Sequence, residues 1–292
     1  MVKKLINPSP DLKFQPPLVA LSWDAPWFKN YKKLGEQVLL KTQTNTLVDA
    51  LNASRGRLQL AFVPQADIDG NFTYESFIHK NRNIPTRENA HDFFNGLSWI
   101  EFVATKSAML SVQAKEITKE KTKEITKEKT KEVTKKIAEN NADLFTSGKT
   151  GRGPLRDSMT VFDENGILLC ADDQIWEALL AKDWQSLFVK HRHLWSEAKV
   201  WLFGHALLEK LLNPRLPITG HVLQLKVPRG LDTLDTLNTV NTDSLDAWLS
   251  SQVLGINWRE KPFSPLPVLG IPGWWSENSE PGFYENKSVF RD

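Results

Sequence analysis

The stretch Pro85–Val103, PTRENAHDFFNGLSWIEFV, decides how the chain is read. Phe93, Phe94, Leu97, Ile100 and Val103 recur at helical spacing, which predicts an amphipathic helix with one broad apolar face. Pro85 and Thr86 open it, and Thr86 is placed to act as the N-cap. The same helix carries a polar stripe. Glu88, His91, Asp92 and Asn95 stand three or four residues apart, and Arg87 lies one turn before His91. Burying such a stripe requires a partner for every group. It is therefore either a structural network or a site. As a site, His91 and Asp92 are the candidate catalytic groups, and Arg87 and Asn95 the candidate substrate contacts.

N-terminal to this stretch, residues 1–30 are rich in proline and aromatics, and a helix is predicted over about Tyr31–Leu51. Residues 1–56 read as an irregular and helical segment that packs on a main domain, residues 57–292. Arg57–Val63 (RLQLAFV) reads as a strand stopped by Pro64, and Tyr74–His79 as a short helix. C-terminal to it, the long helix runs into a low-complexity segment. KEITKEKT occupies Lys115–Thr122 and recurs at Lys123–Thr130. An eight-residue repeat rotates its apolar position by about 80° per copy. Ile117, Ile125 and Val133 therefore form no seam, and residues 115–147 read as a solvated, expendable insertion.

Beyond it, Ser158–Phe162 and Ile167–Ala171 flank Asp163-Glu164-Asn165-Gly166, which predicts a β-hairpin. Asp173–His191 and Glu197–Leu212 read as amphipathic helices, Ile218–Val227 as a strand and Leu245–Leu254 as a short helix. Leu231–Thr242 repeats with a period of three, which suits neither helix nor strand, so it reads as a surface loop. The tail PLPVLGIPGWW reads as an extended segment wrapping the body. The fold class that follows is α+β: a helix-rich single domain around a small, mostly antiparallel sheet of Arg57–Val63, the hairpin and Ile218–Val227.

With 292 residues, 40% of them hydrophobic, the chain can bury a substantial core. The net charge of +2 hides an asymmetry. Lys115–Lys136 holds nine Lys and five Glu, which leaves the rest with 28 basic and 30 acidic residues. A duplex-binding body shows a basic excess, so no nucleic-acid partner is expected. The single cysteine, Cys170, excludes an intrachain disulfide framework and reads as a core residue at a strand end. No apolar run approaches the roughly 18 residues of a membrane span, and the N-terminus lacks a signal-peptide core. The expected location is cytoplasmic, with no membrane partner.

Three further features carry chemistry. His205 has Trp201, Leu208 and Leu212 at helical spacing, so it falls on an apolar face. His221 alternates with Leu223, Leu225 and Val227 along its strand and reads as facing the same core. Each alone reads as a hydrogen-bonded core histidine. Converging with His91, the two would form an acid–base cluster or hold a divalent metal with an open position. In Gly151-Arg152-Gly153-Pro154-Leu155-Arg156-Asp157, the arginines either clamp a small anionic ligand or pair with nearby carboxylates. Trp274 and Trp275, in a Pro/Gly-rich segment, either stack on a ligand or wrap the body. No phosphate-loop, dinucleotide or nucleophile-elbow motif is present.

Several longer motifs resemble a known family. They are FVPQ at Phe62–Gln65, PTREN-HDFFNGLSW across Pro85–Trp99, RGPLRDSMTVFDENGILL across Arg152–Leu169 and WLFGHALLEKL at Trp201–Leu211. ITGHVL at Ile218–Leu223, PVLGIPGWW at Pro267–Trp275 and the closing FYENKSVFR belong with them. Together they resemble the domain-of-unknown-function family number 3025, with residues 115–147 departing from the pattern. The resemblance implies a bacterial cytoplasmic protein of one domain and supplies no activity. Two function classes stay open. One is an enzyme acting on a small anionic substrate, metal-dependent or not. The other is a non-catalytic binding or scaffold protein whose His, Arg and Asp residues order the core.

Overall fold

In the computed structural model, residues 21–68, 72–137, 153–231, 233–234, 240–280 and 282–291 are described. The chain runs through α1 (Lys32–Thr42), α2 (Leu47–Asn52), β1 (Ala61–Pro64), α3 (Tyr74–Asn81), β2 (Asn83–Thr86), α4 (Ala90–Glu101) and α5 (Val103–Ile137). There follow α6 (Pro154–Asn165), β3 (Gly166–Cys170), α7 (Asp173–Leu180), β4 (Lys199–Leu202), α8 (His205–Lys210) and β5 (Thr219–Leu223). The described chain closes with β6 (Thr233–Leu234), β7 (Val240–Asn241), α9 (Asp243–Gln252) and β8 (Phe263–Pro267), then short 3-10 turns. The main sheet has the order β4-β3-β5-β8. Its β3–β4 and β5–β8 pairings are antiparallel and its β3–β5 pairing is parallel. This is the expected helix-rich α+β architecture around a small, mostly antiparallel sheet. Among the described residues no helix is long and apolar enough to cross a membrane.

β3 lies at the centre, and all five of its residues are buried. Such a strand reads as a continuous apolar run, as Ile167-Leu168-Leu169-Cys170 does. Helices α4, α6 and α8 pack together beside it. Cys170 is buried and free, as expected of a core residue.

Four local expectations are corrected. Residues 158–165 are not the first arm of a hairpin but the body of α6. Pro154 suits the first helical turn, and Leu155, Met159 and Phe162 repeat at helical spacing, which outweighs the turn character of Asp-Glu-Asn-Gly. The strand near Arg57–Val63 begins only at Ala61 and does not join the main sheet; it pairs in parallel with β2. The N-cap of α4 is Asn89 and not Thr86. Pro85 biases Ile84 towards extended backbone, so residues 83–86 form β2. Glu197–Leu212 is not one helix: Lys199–Leu202 pairs with β3 as β4, and the helix starts at His205.

The repeat is also not wholly solvated. The single long helix expected from Pro85 breaks at Phe102, and α5 restarts with Asp246 accepting from the N–H groups of Ala104 and Thr105 at 2.9 and 2.8 Å. Thirteen residues on, Ile117 is buried, Glu116 pairs with Arg259, and Glu120 pairs with Arg156 at 3.0 Å. The first copy therefore packs on the body. Within Leu231–Thr242, β6 and β7 pair antiparallel, and residues 232 and 235–239 lie outside the described set.

Candidate functional site

Three backbone features bring the polar stripe of α4 to α6 and α8. First, the Asn89 side chain caps α4 by accepting from the Asp92 N–H at 2.8 Å. Asp92 in turn binds Arg87 through the backbone N–H (2.6 Å), Nε (3.1 Å) and a terminal nitrogen (2.9 Å). Its carboxylate thus holds the entry of α4 in place. Second, Ser98 donates to the Phe203 carbonyl at 3.2 Å and docks α4 beside the start of α8. Third, a Cβ on Gly204 would lie 2.5 Å from backbone atoms of Glu164, Asn165 and Gly166. Only glycine allows this approach, and it sets His205, the first residue of α8, against Asp163 near the end of α6.

The result is a chain of polar groups. Glu209 Oε2 lies 2.8 Å from His91 Nδ1, and His91 Nε2 lies 3.1 Å from His205 Nε2. His205 Nδ1 is 3.7 Å from Asp163 Oδ2, and Asp163 Oδ1 is 2.7 Å from Lys106 Nζ. Lys106 also donates to Asn95 Oδ1 at 3.0 Å, and Asn95 Nδ2 donates to the Tyr74 hydroxyl at 2.8 Å. The Lys106 ammonium stands 5.0 Å from the centre of the Trp99 ring.

Burial sets the charges. It drives His205 down from 6.5 to about 3, with Asp163 opposing and Lys106 and His91 assisting, so the imidazole is neutral. Burial also lowers Lys106, against the pull of Asp163. It pushes the Asp163 carboxyl up, but Lys106, then His205 and His91, hold it below its ordinary value. Tyr74 is raised, chiefly by burial, and stays protonated.

A neutral His205 leaves two self-consistent proton arrangements, with tautomers assigned from partners. In one, His91 donates from Nδ1 to Glu209 and accepts at Nε2 from His205, so His205 Nδ1 presents a lone pair. In the other, His91 is doubly protonated and donates to both Glu209 and His205, while His205 Nδ1 carries a proton facing Asp163. They differ by one proton. A proton accepted at His205 Nδ1 moves the second proton across to His91, where the Glu209 carboxylate balances the charge. The buried ring relays a proton without becoming charged. This network lines a cavity of about 340 Å³ that also includes Glu75, Glu164, Trp99, Met109 and Thr160.

Comparison with known families adds the chain's membership. The model of the family described as "Protein of unknown function (DUF3025)" matches residues 60–147 and 126–292. The chain belongs to this family. No curated protein and no solved structure matches it. The DUF3025 description assigns no reaction, so the chemistry rests on the geometry above.

Of the residues singled out in the sequence of this DUF3025 domain, His91, Asp92, Asn95, Arg87 and His205 all line the one cavity. Glu88 leaves the stripe and accepts from the Leu47 N–H at 2.9–3.0 Å, capping α2. His221 does not join them. Gly220, Val222 and Leu223 are the buried residues of β5, and His221 is half-buried, 6.0 Å from the Phe263 ring. Burial and Lys210 lower its pKa. The three-histidine metal set is thus not assembled, and among the described residues no three His, Cys, Asp or Glu side chains are grouped to hold a metal ion. Arg156 is buried outside the cavity wall, paired with Glu120 at 3.0 Å and Glu75 at 3.7 Å. Arg152 lies outside the described residues. Trp274 is partly buried, 6.1 Å from the Trp27 ring, in a separate cleft.

Sequence reasoning missed Lys106, Asp163, Tyr74 and Glu209. Two left a signal: Lys106 falls on the buried face of α5 with Met109 and Leu110, and Glu209 stands one turn after His205.

Proposed function

We propose that the protein is an enzyme whose His205–His91 pair acts as a general base on a small polar substrate. The observation that carries this is the 3.1 Å contact between the two Nε2 atoms at the wall of an open cavity. His205 takes a proton from the substrate at Nδ1, its Nε2 proton passes to His91, and Glu209 compensates the charge. Asp163 stands 3.7 Å from His205 Nδ1 and is itself paired with Lys106 at 2.7 Å. The non-catalytic alternative accounts less well for the site, because the His91 side chain is 32% exposed and the network faces empty volume. The anion clamp expected from Arg152 and Arg156 is not part of this reading: Arg152 lies outside the described residues. Arg156 is taken up by two carboxylates, and the two lining cations, Arg87 and Lys106, already face Asp92 and Asp163.

The test is deuterium wash-in. A pool of small polar compounds is incubated in heavy water with the wild type or with His205→Gln, and is followed by NMR. At least one compound should exchange or convert with the wild type and do so about 10²–10⁴-fold more slowly with the variant. No wild-type reaction, or equal rates, would remove the general-base role.

A further inference from the structure

We propose that the ligand of this cavity is a small cation of the ammonium type, seated among Glu164, Asp163 and His205. The proposal rests on the general-base reading for the tautomer of His205 and goes beyond it in fixing the substrate's charge.

Four carboxylates line the cavity, those of Glu75, Asp92, Asp163 and Glu164, against two permanent cations, Arg87 and Lys106. The cations are committed: Arg87 to Asp92 at 2.9 Å and Lys106 to Asp163 at 2.7 Å. Glu75 faces Arg156 from behind the wall. Glu164 has no hydrogen bond or ion pair among the described residues, and it opens on the same space. A half-buried carboxylate beside a second one, in a pocket with no uncommitted cation, repels anions and favours a positive guest. Doubly protonated His91 would not reverse this, because its charge is balanced by Glu209, 2.8 Å away.

A second observation comes from His205. The residue is 5% exposed, and its Nδ1 has no hydrogen-bond partner. When its Nε2–H donates to His91, that nitrogen is a bare acceptor 3.7 Å from Asp163 Oδ2, itself an acceptor. A buried acceptor with no donor is costly to leave unsatisfied, and the Asp163 carboxylate 3.7 Å away adds negative charge beside it. An ammonium N–H donates to Nδ1 while its charge faces the Asp163 carboxylate, which seats the guest beside the base. Ile78, Met109 and Leu110 supply an apolar wall for a short carbon chain.

The experiment is calorimetric titration of the full chain with three probes of one size: n-butylammonium, n-butanol and butyrate. Butylammonium should bind saturably and about tenfold or more tighter than either of the others, and added salt should weaken it. Glu164→Gln should weaken it about fivefold, in keeping with a partly exposed charge pair, while its circular dichroism stays that of the wild type. Butyrate binding as well as or better than butylammonium, no discrimination among the probes, or an unchanged affinity in Glu164→Gln would each overturn the proposal. Wild-type butylammonium binding that meets these marks and depends on Glu164, with deuterium wash-in absent from the wild type, would remove the general-base role and leave the cation site standing on its carboxylates.

Discussion

Replacing Lys106 with methionine keeps the length and apolar stem of the side chain and removes its charge. Lys106 is 3% exposed, and its ammonium forms an ion pair with Asp163 at 2.7 Å and donates to Asn95 at 3.0 Å. The variant leaves the Asp163 carboxylate in the same enclosed position without its cation. Breaking a buried pair from one side costs about 3–5 kcal/mol, because a desolvated charge is stranded. At roughly 2–3 °C per kcal/mol for a chain of this length, the melting temperature should fall by roughly 6–15 °C. The pH dependence carries a sign that simple packing loss lacks. In the wild type Asp163 sits below its ordinary 3.8, so its contribution is complete above that pH and is lost as the pH falls through the lowered value. In the variant burial acts without Lys106 and raises the carboxyl, so protonation relieves it and the gap to the wild type narrows on acidification from pH 7 to 5. The double variant Lys106→Met/Asp163→Leu should recover most of the loss. Urea melts followed by tryptophan fluorescence decide it. A single-variant loss below about 1 kcal/mol, or a gap that does not narrow in acid, would refute the buried-pair argument.

Gly204→Ala should cost about 1–3 kcal/mol in a denaturant melt, because the new Cβ meets backbone atoms of three residues at 2.5 Å and backbone cannot rotate away. His205 is neutral in the fold and titrates near 6.5 when unfolded, so the unfolded state binds more protons between those values. Stability should therefore fall as pH drops from about 6.5 towards about 3, and His205→Gln should lose roughly 3–5 kcal/mol of that dependence, read from urea melts across the range. Ile117→Ala should cost about 2 kcal/mol, since this first-repeat side chain is 7% exposed, and a melt equal to wild type would restore the view of an expendable segment.

The elements legible in the sequence are those whose apolar spacing is dense and local. Phe93, Phe94 and Leu97 announce α4, and the run Ile167–Cys170 announces a central strand. Boundaries failed where two local signals compete, as at Asp163–Gly166, where turn residues end a helix that Met159 and Phe162 had already committed to the core. His205 was expected to be buried and is, but it begins its helix and does not sit mid-way along one. The polar stripe of α4 showed half of the site. The other half was hidden because Asp163 and His205 reach His91 only through tertiary packing, across the close approach that Gly204 permits. His221 misled because its face of β5 is packed at Leu223 but only half covered at the histidine, while Gly220 and Val222 on the other face are buried.

The proton between His91 and His205 is the centre of the general-base role. Imidazole nitrogen-15 NMR of the wild type, with His91→Gln and His205→Gln for assignment, reads it. The expected result is one Nε2 proton coupled to nitrogens of both rings, with His205 neutral from pH 8 down to about 4, well above its lowered value of about 3. Two rings that titrate independently near pH 6.5, with no coupling between them, would contradict it.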